Sequence, residues 1–282
     1  MGVKDGWWSN PSIIALMQKG ELLAEGRMAE VYEWEDGWVL KLLRAEWNNR
    51  ETAENEANKT RLAHATGYRT PAVGEVVEVD GRVGTLYERF DGVVMGQALS
   101  RDVMHAKRYA RRLAELHAEM HTYQAPGLPS RKESLIERIA SLTQLSPKTK
   151  HTVLDLLNTL PDGEALLHGD FHPGNIILSG GDALVIDWID ASKGPPLADV
   201  ARTYILLTSK KSKRVTLFGR IVLFLRDSFQ RTYLKRYFQL RPAGHELLDA
   251  WVVCMAAARI WEGIADREGD LIEMVESGLA KL

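Results

Sequence analysis

The first part of the chain, up to about Phe90, has the short apolar runs separated by turn residues that are typical of β-strands. Gly37 and Gly81 each follow an aspartate, which is the pattern of a tight hairpin, so the predicted sheet is antiparallel. A stretch of helical composition stands after the third run, and Gly67 and Pro71 end it. The predicted strands are residues 21–26, 30–34, 38–43, 73–79 and 82–88, and the predicted helix is 47–65.

Beyond residue 103 the apolar positions recur mostly with the helical period. The predicted helices are residues 103–123, 132–142, 148–160, 199–207, 215–237 and 246–264. Short apolar runs between 166 and 187, broken by Gly180 and Gly181, predict small strands that hold a loop between helices. The pattern therefore predicts an α+β fold with two lobes. A β-rich N-terminal lobe, 1–92, is expected to join a mostly helical C-terminal lobe, 93–282, through a connection at about residues 87–92.

The composition is that of a folded globular protein, with 45% hydrophobic and 26% charged residues among 282. The longest apolar runs are far shorter than the roughly 18 residues of a membrane span, and the N-terminus lacks a signal core. A cytoplasmic location is the default expectation. The single cysteine, Cys254, excludes an internal disulfide, and its apolar surroundings predict a small buried side chain.

The formal net charge of -2 conceals two segments of opposite sign. Residues 210–241 carry ten Lys or Arg against one acid, and residues 262–276 carry six acids against one Arg. The basic segment could bind nucleic acid or anionic lipid. Solvated faces of packed helices explain it better, so neither nucleic acid nor membrane is the expected partner. A monomer or a homodimer is expected.

Candidate chemistry is concentrated in residues 168–187. Asp170 and Asn175 follow His168 in a His-x-Asp-x-x-x-x-Asn pattern, and Asp187 ends an apolar strand-like run. This spacing is that of the kinase catalytic loop, in which the Asp accepts a hydroxyl proton and the Asn binds Mg²⁺. The hypothesis is that Asp170 is the base, and that Asn175 and Asp187 bind Mg²⁺ through oxygen, the ligand atom this hard ion prefers.

Lys41 is a cation within an apolar strand, on the same side as Val39 and Leu43 by strand alternation. A snorkelling edge lysine is the plain alternative, but with the downstream loop Lys41 is expected to bind the α- and β-phosphates of ATP. A glutamate of the following helix should orient it; Glu56 is preferred and Glu54 is the reserve. Gly26, between the first two strands, is the candidate for the turn that covers the phosphates, although one glycine is a weak signal.

Two further interpretations involve metals. A transition-metal hydrolase site would use residues spread over the same segment, namely His168, Asp170, His172, Asp187 and Asp190, but it explains neither Asn175 nor Lys41. His117 and His121, four residues apart on a predicted helix, are also compatible with a metal. Packing of these histidines against the catalytic loop is the better explanation.

The residue set and its order resemble the aminoglycoside phosphotransferase and choline kinase group of protein-kinase-like enzymes. The resemblance covers nearly the whole chain and rests on segments 26–32, 39–41, 56–57, 87–92, 113–117, 168–178 and 186–188, with Gly194 and Asp199. It implies a bilobal protein-kinase-like fold, and ATP or GTP with Mg²⁺ as cofactors. It also implies that the backbone of Glu88 to Phe90 holds the nucleobase, that Val39, Ile177 and Ile186 form its apolar walls, and that Asp199 braces the catalytic loop.

The departures from protein kinases concern the acceptor. Asp187 is followed by Trp188, no Ala-Pro-Glu follows, and only eleven residues separate Asp187 from Asp199. A small hydroxyl-bearing acceptor is therefore expected: an aminoglycoside or other antibiotic, choline, a sugar or an amino-acid-like alcohol. Three acids could face a cationic substrate or could equally form a solvated surface, namely Asp190, Glu262 and Asp266. A catalytically silent nucleotide-binding regulator and a protein kinase are the alternatives.

Overall fold

The computed structural model describes residues 19–35, 37–208 and 217–282, and it describes side chains in the last segment from Val222 onward. Asp36 of the predicted hairpin lies outside the described residues, as do residues 209–216, which hold four cations of the predicted basic segment. The chain forms two lobes, one rich in β-strands and one mostly helical.

Within the described residues, the N-terminal lobe is a five-stranded antiparallel sheet with one α-helix, as predicted. The strand order is β1-β2-β3-β5-β4, and the helix α1 follows β3. This helix begins three residues later than predicted because Asn49 accepts the N–H of Thr52 and so caps it. The elements are β1 (Leu22–Glu25), β2 (Ala29–Glu33), β3 (Trp38–Leu43), α1 (Arg50–Ala65), β4 (Val73–Val79) and β5 (Arg82–Glu88).

Alternation along β3 decides which face of the sheet each side chain joins. Leu40 and Leu42 are fully buried in the apolar cluster of one face. Leu43 belongs to the cluster on the other face, which includes Ala53 of α1. Lys41 shares that second face by alternation, so the strand directs its ammonium group towards the helix side of the sheet.

The C-terminal lobe is mostly helical, and its described part contains five short strands. Its largest apolar cluster is built from several helices and includes Trp251, Tyr233 and Phe171 at essentially zero exposure. The strands are β6 (Val93–Val94), β7 (Ala165–Leu167), β8 (Ile176–Ser179), β9 (Asp182–Val185) and β10 (Ser192–Gly194). The helices are α2 (Met95–Arg101), α3 (Ala106–Met120), α4 (Arg131–Ser141), α5 (Pro147–Thr159), α6 (Pro196–Leu207), α7 (Leu217–Leu240), α8 (Leu248–Ile260) and α9 (Ala265–Leu279).

The short strands of this lobe pair in two small sheets. β7 pairs antiparallel with β10, and β8 pairs antiparallel with both β6 and β9. β6 begins directly after the connection between the lobes, so the connection is tied to β8. The loop of residues 168–175 lies between β7 and β8, which hold its two ends.

The predicted helix 246–264 is wrong at its C-terminal end. Helix α8 stops at Ile260, the chain turns through Gly263 with φ of 63°, and α9 starts at Ala265. Glu262 and Asp266 therefore do not share one helical face, contrary to the expectation from their spacing. Helices α2 and α9 and strands β6 and β10 were not predicted. Of these, α2, β6 and β10 are each too short to show a period.

None of the described helices is long and apolar enough to cross a membrane. Cys254 is fully buried in α8, in agreement with the prediction of a small buried side chain.

Candidate active site

The loop after β7 holds an aspartate and an amide side chain in direct contact. Asn175 donates Nδ2 hydrogens to the backbone oxygen of Asp170 at 2.9 Å and to Asp170 Oδ2 at 3.2 Å. A 3₁₀ turn, Pro173–Asn175, brings the amide back over Asp170, and His172 caps the turn by accepting the N–H of Gly174. Because the amide nitrogen is committed to Asp170, the amide oxygen is the atom left for a cation.

One face of α6 fixes the backbone of this loop. Asp199 accepts the N–H groups of His168 and Gly169 at 2.7 and 2.9 Å. One turn later, Arg202 Nε donates to Gly169 O at 3.0 Å, and Thr203 Oγ1 donates to a further loop carbonyl at 2.9 Å. Residues at i, i+3 and i+4 lie on one helix face, so a single rigid element holds the loop at four points. Of these three residues Asp199 was predicted from the sequence and Arg202 and Thr203 were not. Their spacing of three and four residues from Asp199 could have indicated them.

Asp199 lies in a fully buried pocket with His117 of α3 and with His121, which is the C-terminal cap of that helix. His117 Nε2 is 3.2 Å from Asp199 Oδ2, and the other ring nitrogen is 2.6 Å from Tyr233 Oη. His121 Nδ1 is 2.7 Å from Tyr237 Oη, with Nε2 3.6 Å from Asp199 Oδ2. Burial opposes the charge of Asp199, but these histidines hold the pKa of its carboxyl well below the ordinary value. Burial lowers the pKa of His121 to about 3, so this ring is neutral.

The proposed transition-metal sites are not favoured by the contacts. Both nitrogens of His168 are used: Nδ1 accepts the N–H of Asp170 at 3.1 Å, so Nε2 carries the proton and donates to Ile186 O at 3.0 Å. Burial lowers the pKa of His168, in agreement with this neutral tautomer. Among the described residues, the group that could hold a metal by its spacing is His117, His121 and Asp199.

The α3 histidines are packed against the catalytic loop. The ring of His117 stacks on Phe171 of the loop, with 4.1 Å between the centroids. Both oxygens of Asp199 already accept backbone N–H groups. Hydrogen bonding and stacking therefore account for His117 and Asp199 without a metal, whereas His121 Nε2 is buried and makes no hydrogen bond with a described residue.

Lys41 joins the two lobes through two carboxylates. Its Nζ lies 2.6 Å from Glu56 Oε1 of α1 and 3.0 Å from Asp187 Oδ1 beyond β9. Burial alone would lower the pKa of Lys41, but the two carboxylates hold it above the ordinary value. Glu54, the reserve partner in the sequence analysis, instead pairs with Arg50 on the exposed side of the helix. The lysine is therefore a fixed cation at neutral pH.

Asp170 is surrounded by hydrogen-bond donors and cations. His172 Nε2 lies 3.3 Å from its Oδ2, and Arg202 Nη2 lies 3.7 Å from its Oδ1. Burial would raise the pKa of this carboxyl, but His172 and Arg202 lower it to about 2. Asp170 is therefore ionised at neutral pH. A carboxylate of such low basicity can orient a hydroxyl by accepting its hydrogen bond, and can take the proton once the new bond to oxygen has largely formed.

Asp187 has an unusual backbone and a partly exposed side chain. Its φ is 69°, a left-handed value that is uncommon outside glycine, and such strain often occurs at functional sites. Trp188 anchors the next position, fully buried and donating Nε1 to Val185 O at 2.9 Å. The Asp187 side chain is 40% exposed. Its carboxylate and the amide oxygen of Asn175 are the hard donors that Mg²⁺ prefers, so these residues fit that ion.

The connection between the lobes uses the backbone N–H groups of its first residues within the protein and leaves that of Phe90 for a ligand. Glu88 N–H donates to Ala72 O at 2.9 Å, and Arg89 N–H donates to Gly37 O at 2.7 Å. The Glu88 carboxylate turns back to accept the N–H of Ala72, so it is part of the lobe. Within the described part of the chain, no partner is recorded for the N–H of Phe90.

The expected apolar walls are partly buried residues outside the cores. Val39 on β3, Ile177 on β8 and Ile186 after β9 each retain exposure and belong to none of the large buried clusters. Gly26 lies in the exposed turn between β1 and β2, where its N–H donates to Ala29 O at 2.8 Å. Its φ is not left-handed, so this turn does not itself require glycine.

Two of the three acids proposed to face a cationic substrate are paired with arginines. Asp190 lies 3.4 Å from Arg138 Nη2, and Glu262 lies 2.6 Å from Arg202 Nη1. Asp266 is an exposed residue in the first turn of α9. The sequence analysis missed these arginines because they come from α4 and α6, and no local pattern links them to the acids.

The architecture defines the class. A sheet-and-helix lobe stands on a helical lobe, with Lys41 and Asp187 in contact between them, and this is the protein-kinase-like fold. Residues 19–251 match the model of the family described as "Phosphotransferase enzyme family", and the chain therefore belongs to that family. Membership makes it a phosphotransferase of the small-molecule kinase type. Comparison with curated protein sequences finds no match.

Solved structures share the fold along almost the whole chain. A thermostable mutant of aminoglycoside phosphotransferase APH(4)-Ia in complex with ADP and hygromycin B is 17% identical, with a TM-score of 0.62 over 93% of this chain and 92% of that one. Amicoumacin kinase hAmiN is 16% identical, with a TM-score of 0.55 over 96% and 92%. A choline/ethanolamine kinase family protein from Mesorhizobium loti is 15% identical, with a TM-score of 0.54 over 94% and 86%. At these identities the likeness establishes the fold and no more.

Proposed function

We propose that the chain is an ATP- or GTP-dependent O-phosphotransferase that moves the γ-phosphate to a hydroxyl of a small molecule. The observation that carries this proposal is the contact of Lys41 Nζ with both Glu56, at 2.6 Å, and Asp187, at 3.0 Å. It puts a fixed cation and a candidate metal ligand of different lobes side by side, which phosphoryl transfer requires. The contact between Asp170 and Asn175 supplies the candidate base and the second ligand.

Each residue has a distinct part in the proposed reaction. Lys41 binds the α- and β-phosphates, and Glu56 keeps its ammonium group in position. Asp170 accepts the hydrogen bond of the acceptor hydroxyl and aims that oxygen at the γ-phosphate, taking the proton late. Asn175 and Asp187 hold Mg²⁺, which when bound neutralises the charge that develops on the transferring phosphate. Asp199 acts on the loop backbone alone, through the N–H groups of His168 and Gly169.

The two proposed structural units are residues 1–92 and 93–282. The nucleobase is proposed to lie against the connection between them, residues 87–92. The N–H of Phe90 is the candidate donor to the base, and Val39, Ile177 and Ile186 are its apolar walls. Similar folds have been solved with ADP, with AMP-PNP and with GDP, which supports either nucleotide for this chain. Gly26 is proposed to bring the β1–β2 turn over the phosphates.

A small acceptor is favoured over a polypeptide by the segment after Asp187. This segment forms the short strand β10 and then enters α6 at Pro196, so it presents no long loop for docking a peptide. Hygromycin B and kanamycin occur in the complexes of similar folds, and amicoumacin kinase is another neighbour. Antibiotics and metabolite alcohols are therefore both candidates for the acceptor.

The test is a nucleotide-consumption screen over aminoglycosides, peptide antibiotics, macrolides, choline, sugars and hydroxy-amino acids. Asp170→Asn should reduce phosphorylation by about 10²–10⁴-fold and leave nucleotide affinity within a few-fold, because the base acts on the acceptor. Asp182→Asn is the matched control, since Asp182 is an 82% exposed aspartate on β9. Unreduced phosphorylation in Asp170→Asn would contradict the assignment, and nucleotide binding without any Asp170-dependent transfer would favour a silent regulator.

A further inference from the structure

Around Asp170, the described cations outnumber the described carboxylates. Five cations contact the catalytic loop or the two segments packed beside it, against four carboxylates including Asp170 itself. The cations are Lys59, Arg131, Arg138, Arg202 and Arg259, and the carboxylates are Asp170, Asp190, Asp199 and Glu262. The surroundings of the candidate base therefore carry a surplus of positive charge.

The first group of cations converges on the turn of residues 189–190. Lys59 Nζ donates to Ile189 O at 2.8 Å, Arg131 Nη2 donates to Asp190 O at 2.5 Å, and Arg138 Nη2 lies 3.4 Å from Asp190 Oδ1. This turn packs on the catalytic loop, because a Cβ added to Gly169 would lie 2.7 Å from the Cβ of Asp190. Of these three cations, Arg138 contacts the Asp190 carboxylate, and the other two bond to backbone carbonyls of a turn that lies against Gly169, next to Asp170.

The second group surrounds Glu262 in the bend between α8 and α9. Arg202 Nη1 contacts Glu262 Oε1 at 2.6 Å, and Arg259 Nε lies 3.4 Å from Glu262 Oε2. Nε and Nη1 of Arg259 are buried and make no hydrogen bond with any described residue. Burial lowers the pKa of Arg259 to about 10, with the neighbouring Arg202 cation acting in the same direction. Glu262 is therefore already held between two guanidiniums and does not offer a free carboxylate to a cationic substrate.

Two of the five cations combine solvent access with unused donors. Arg131 and Arg202 are buried, and their guanidiniums bond to loop and turn carbonyls. Lys59 is half-buried, and among the described residues only one acceptor is recorded for its three N–H groups. Arg138 is 24% exposed and has the weak 3.4 Å contact with Asp190. Its guanidinium also lies 5.2 Å from the ring of Trp261, which is 55% exposed.

We propose that the acceptor alcohol carries an anionic group, a carboxylate or a phosphate, which Lys59 of α1 and Arg138 of α4 bind beside Asp170. This inference rests on the proposed phosphotransfer at Asp170. Lys59 and Arg138 come from different lobes, so an anion between them would also link the lobes over the acceptor. Trp261 offers a flat apolar surface next to Arg138 for the carbon skeleton.

The same charges disfavour a polycationic aminoglycoside. Its ammonium groups would approach the two accessible cations, Lys59 and Arg138. Of the other carboxylates, Asp190 and Glu262 already contact arginines, and Asp199 is buried and bonded to the loop backbone. Like charges brought together in a partly buried site repel strongly, whereas a carboxylate or phosphate accepts charge-assisted hydrogen bonds from lysine and arginine. The likeness to aminoglycoside phosphotransferases therefore concerns the fold, and we infer a different acceptor for this chain.

The experiment uses acceptors that differ in charge and otherwise match. Glycerate, glycerol phosphate, glycerol and serinol form one series, and glucuronate, glucose phosphate, glucose and glucosamine form the other, with kanamycin as a polycation. Phosphorylation of each is measured, together with the shift in unfolding temperature that each causes in the presence of a non-hydrolysable ATP analogue. We expect the anionic members to exceed the neutral ones by about tenfold or more in kcat/KM, and the cationic members to be poorest. The carboxylate and phosphate arms tell the two anion types apart.

Charge-neutralising variants test whether Lys59 and Arg138 bind the anionic group of the acceptor. Lys59→Gln and Arg138→Gln should each reduce kcat/KM for the anionic members by about tenfold and leave the neutral members within about twofold. Arg138→Glu should reverse the order of anionic and cationic members. Lys107→Gln and Arg111→Gln are the matched controls, because both are exposed cations on α3 that line a groove beside α7. These controls should change nothing.

The outcomes separate the inference from the proposed function. If neutral or cationic alcohols are preferred, or if the preference survives in both Lys59→Gln and Arg138→Gln, the inference is wrong while Asp170-dependent transfer still stands. The inference is equally wrong if no anionic member is phosphorylated or raises the unfolding temperature. Failure of the proposed function has a different signature, namely nucleotide turnover that Asp170→Asn leaves unreduced.

Discussion

The proposed nucleotide side and the proposed acceptor side of the site differ in how their charges are balanced. On the nucleotide side one cation, Lys41, stands between two carboxylates, Glu56 and Asp187. On the acceptor side Asp170 lies near Arg202 of α6, and cations of α1 and α4 bond to the neighbouring 189–190 turn. The first arrangement leaves negative charge for a divalent cation, and the second leaves positive charge for an anion. One site in this fold can therefore combine residues that serve phosphoryl transfer in general with residues whose charge suits one class of acceptor.

The two sides also differ in how far apart their residues lie in the sequence. Lys41 and Glu56 are separated by one strand end and the start of one helix, and Asn175 and Asp187 lie in a single short segment. By contrast, the cations of the acceptor side come from α1, α4, α6 and α8. Local spacing therefore carries information about the nucleotide side, and only the tertiary fold brings the acceptor side together.

After Asp170→Asn, the largest effect is expected on the nucleotide side, from Asp187→Ala. Removing this carboxylate should reduce kcat/KM by about 10²–10³-fold or more, because the site loses a ligand for the charge-neutralising cation. It should also abolish the dependence of nucleotide binding on Mg²⁺, which calorimetry with and without Mg²⁺ measures. Unchanged Mg²⁺ dependence would show that Asp187 is not a ligand. Asp182→Ala, at the exposed first residue of β9, is the control.

A smaller effect is expected from substitutions of Lys41 and of its partner Glu56. Lys41→Gln should reduce kcat/KM by about 10²-fold, since the phosphates lose a fixed cation. Glu56→Gln should cost about tenfold, because the lysine keeps Asp187 but loses its better-buried partner. Glu54→Gln should have no effect, since Glu54 pairs with Arg50 on the exposed side. Equal losses in Glu56→Gln and Glu54→Gln would contradict the orienting role of Glu56.

On the acceptor side, Arg202→Lys should reduce kcat by about tenfold with little change in KM for the nucleotide. Lysine keeps the charge but cannot contact Gly169 O, Asp170 and Glu262 together, as the Arg202 guanidinium does. Steady-state kinetics, with each substrate varied in turn while the other is saturating, gives kcat and the nucleotide KM separately. An effect confined to the nucleotide KM would mean that Arg202 does not position Asp170, and Arg236→Lys, in an ion pair with Glu115, is the matched control.

These comparisons also show which parts of the molecule could be predicted from sequence. Strands β4 and β5 have the predicted bounds because turn residues delimit both, with Asp80 and Gly81 at left-handed φ between them. The choice of Glu56 for contact with Lys41 followed from its place in the helix. The arginines beside Asp190 and Glu262 could not be predicted, since an acid in the sequence does not reveal whether a distant guanidinium already neutralises it. The break after Ile260 was missed because apolar residues continue across it.

The smallest effect on catalysis is expected in the buried pocket below the loop, where His121→Phe tests stability and leaves the charges of both sides in place. The pKa of His121 is about 3 in the native state against 6.5 ordinarily, so between these values the unfolded chain binds a proton that the native state does not. Stability should therefore fall as pH decreases from 6.5 towards 3, by about 1.4 kcal/mol per pH unit from this ring. His168 adds to the same trend in both proteins.

Urea unfolding at several pH values measures this slope directly. His121→Phe loses the contact with Tyr237 and should be less stable than wild type at neutral pH, by about 1 kcal/mol. It also lacks the titrating ring, so its stability should depend less on pH, and the gap between the two proteins should close as the solution becomes acidic. Parallel pH profiles would mean that His121 does not titrate abnormally. Asp199 does not confuse the comparison, because its lowered pKa places its own contribution below its ordinary value of 3.8.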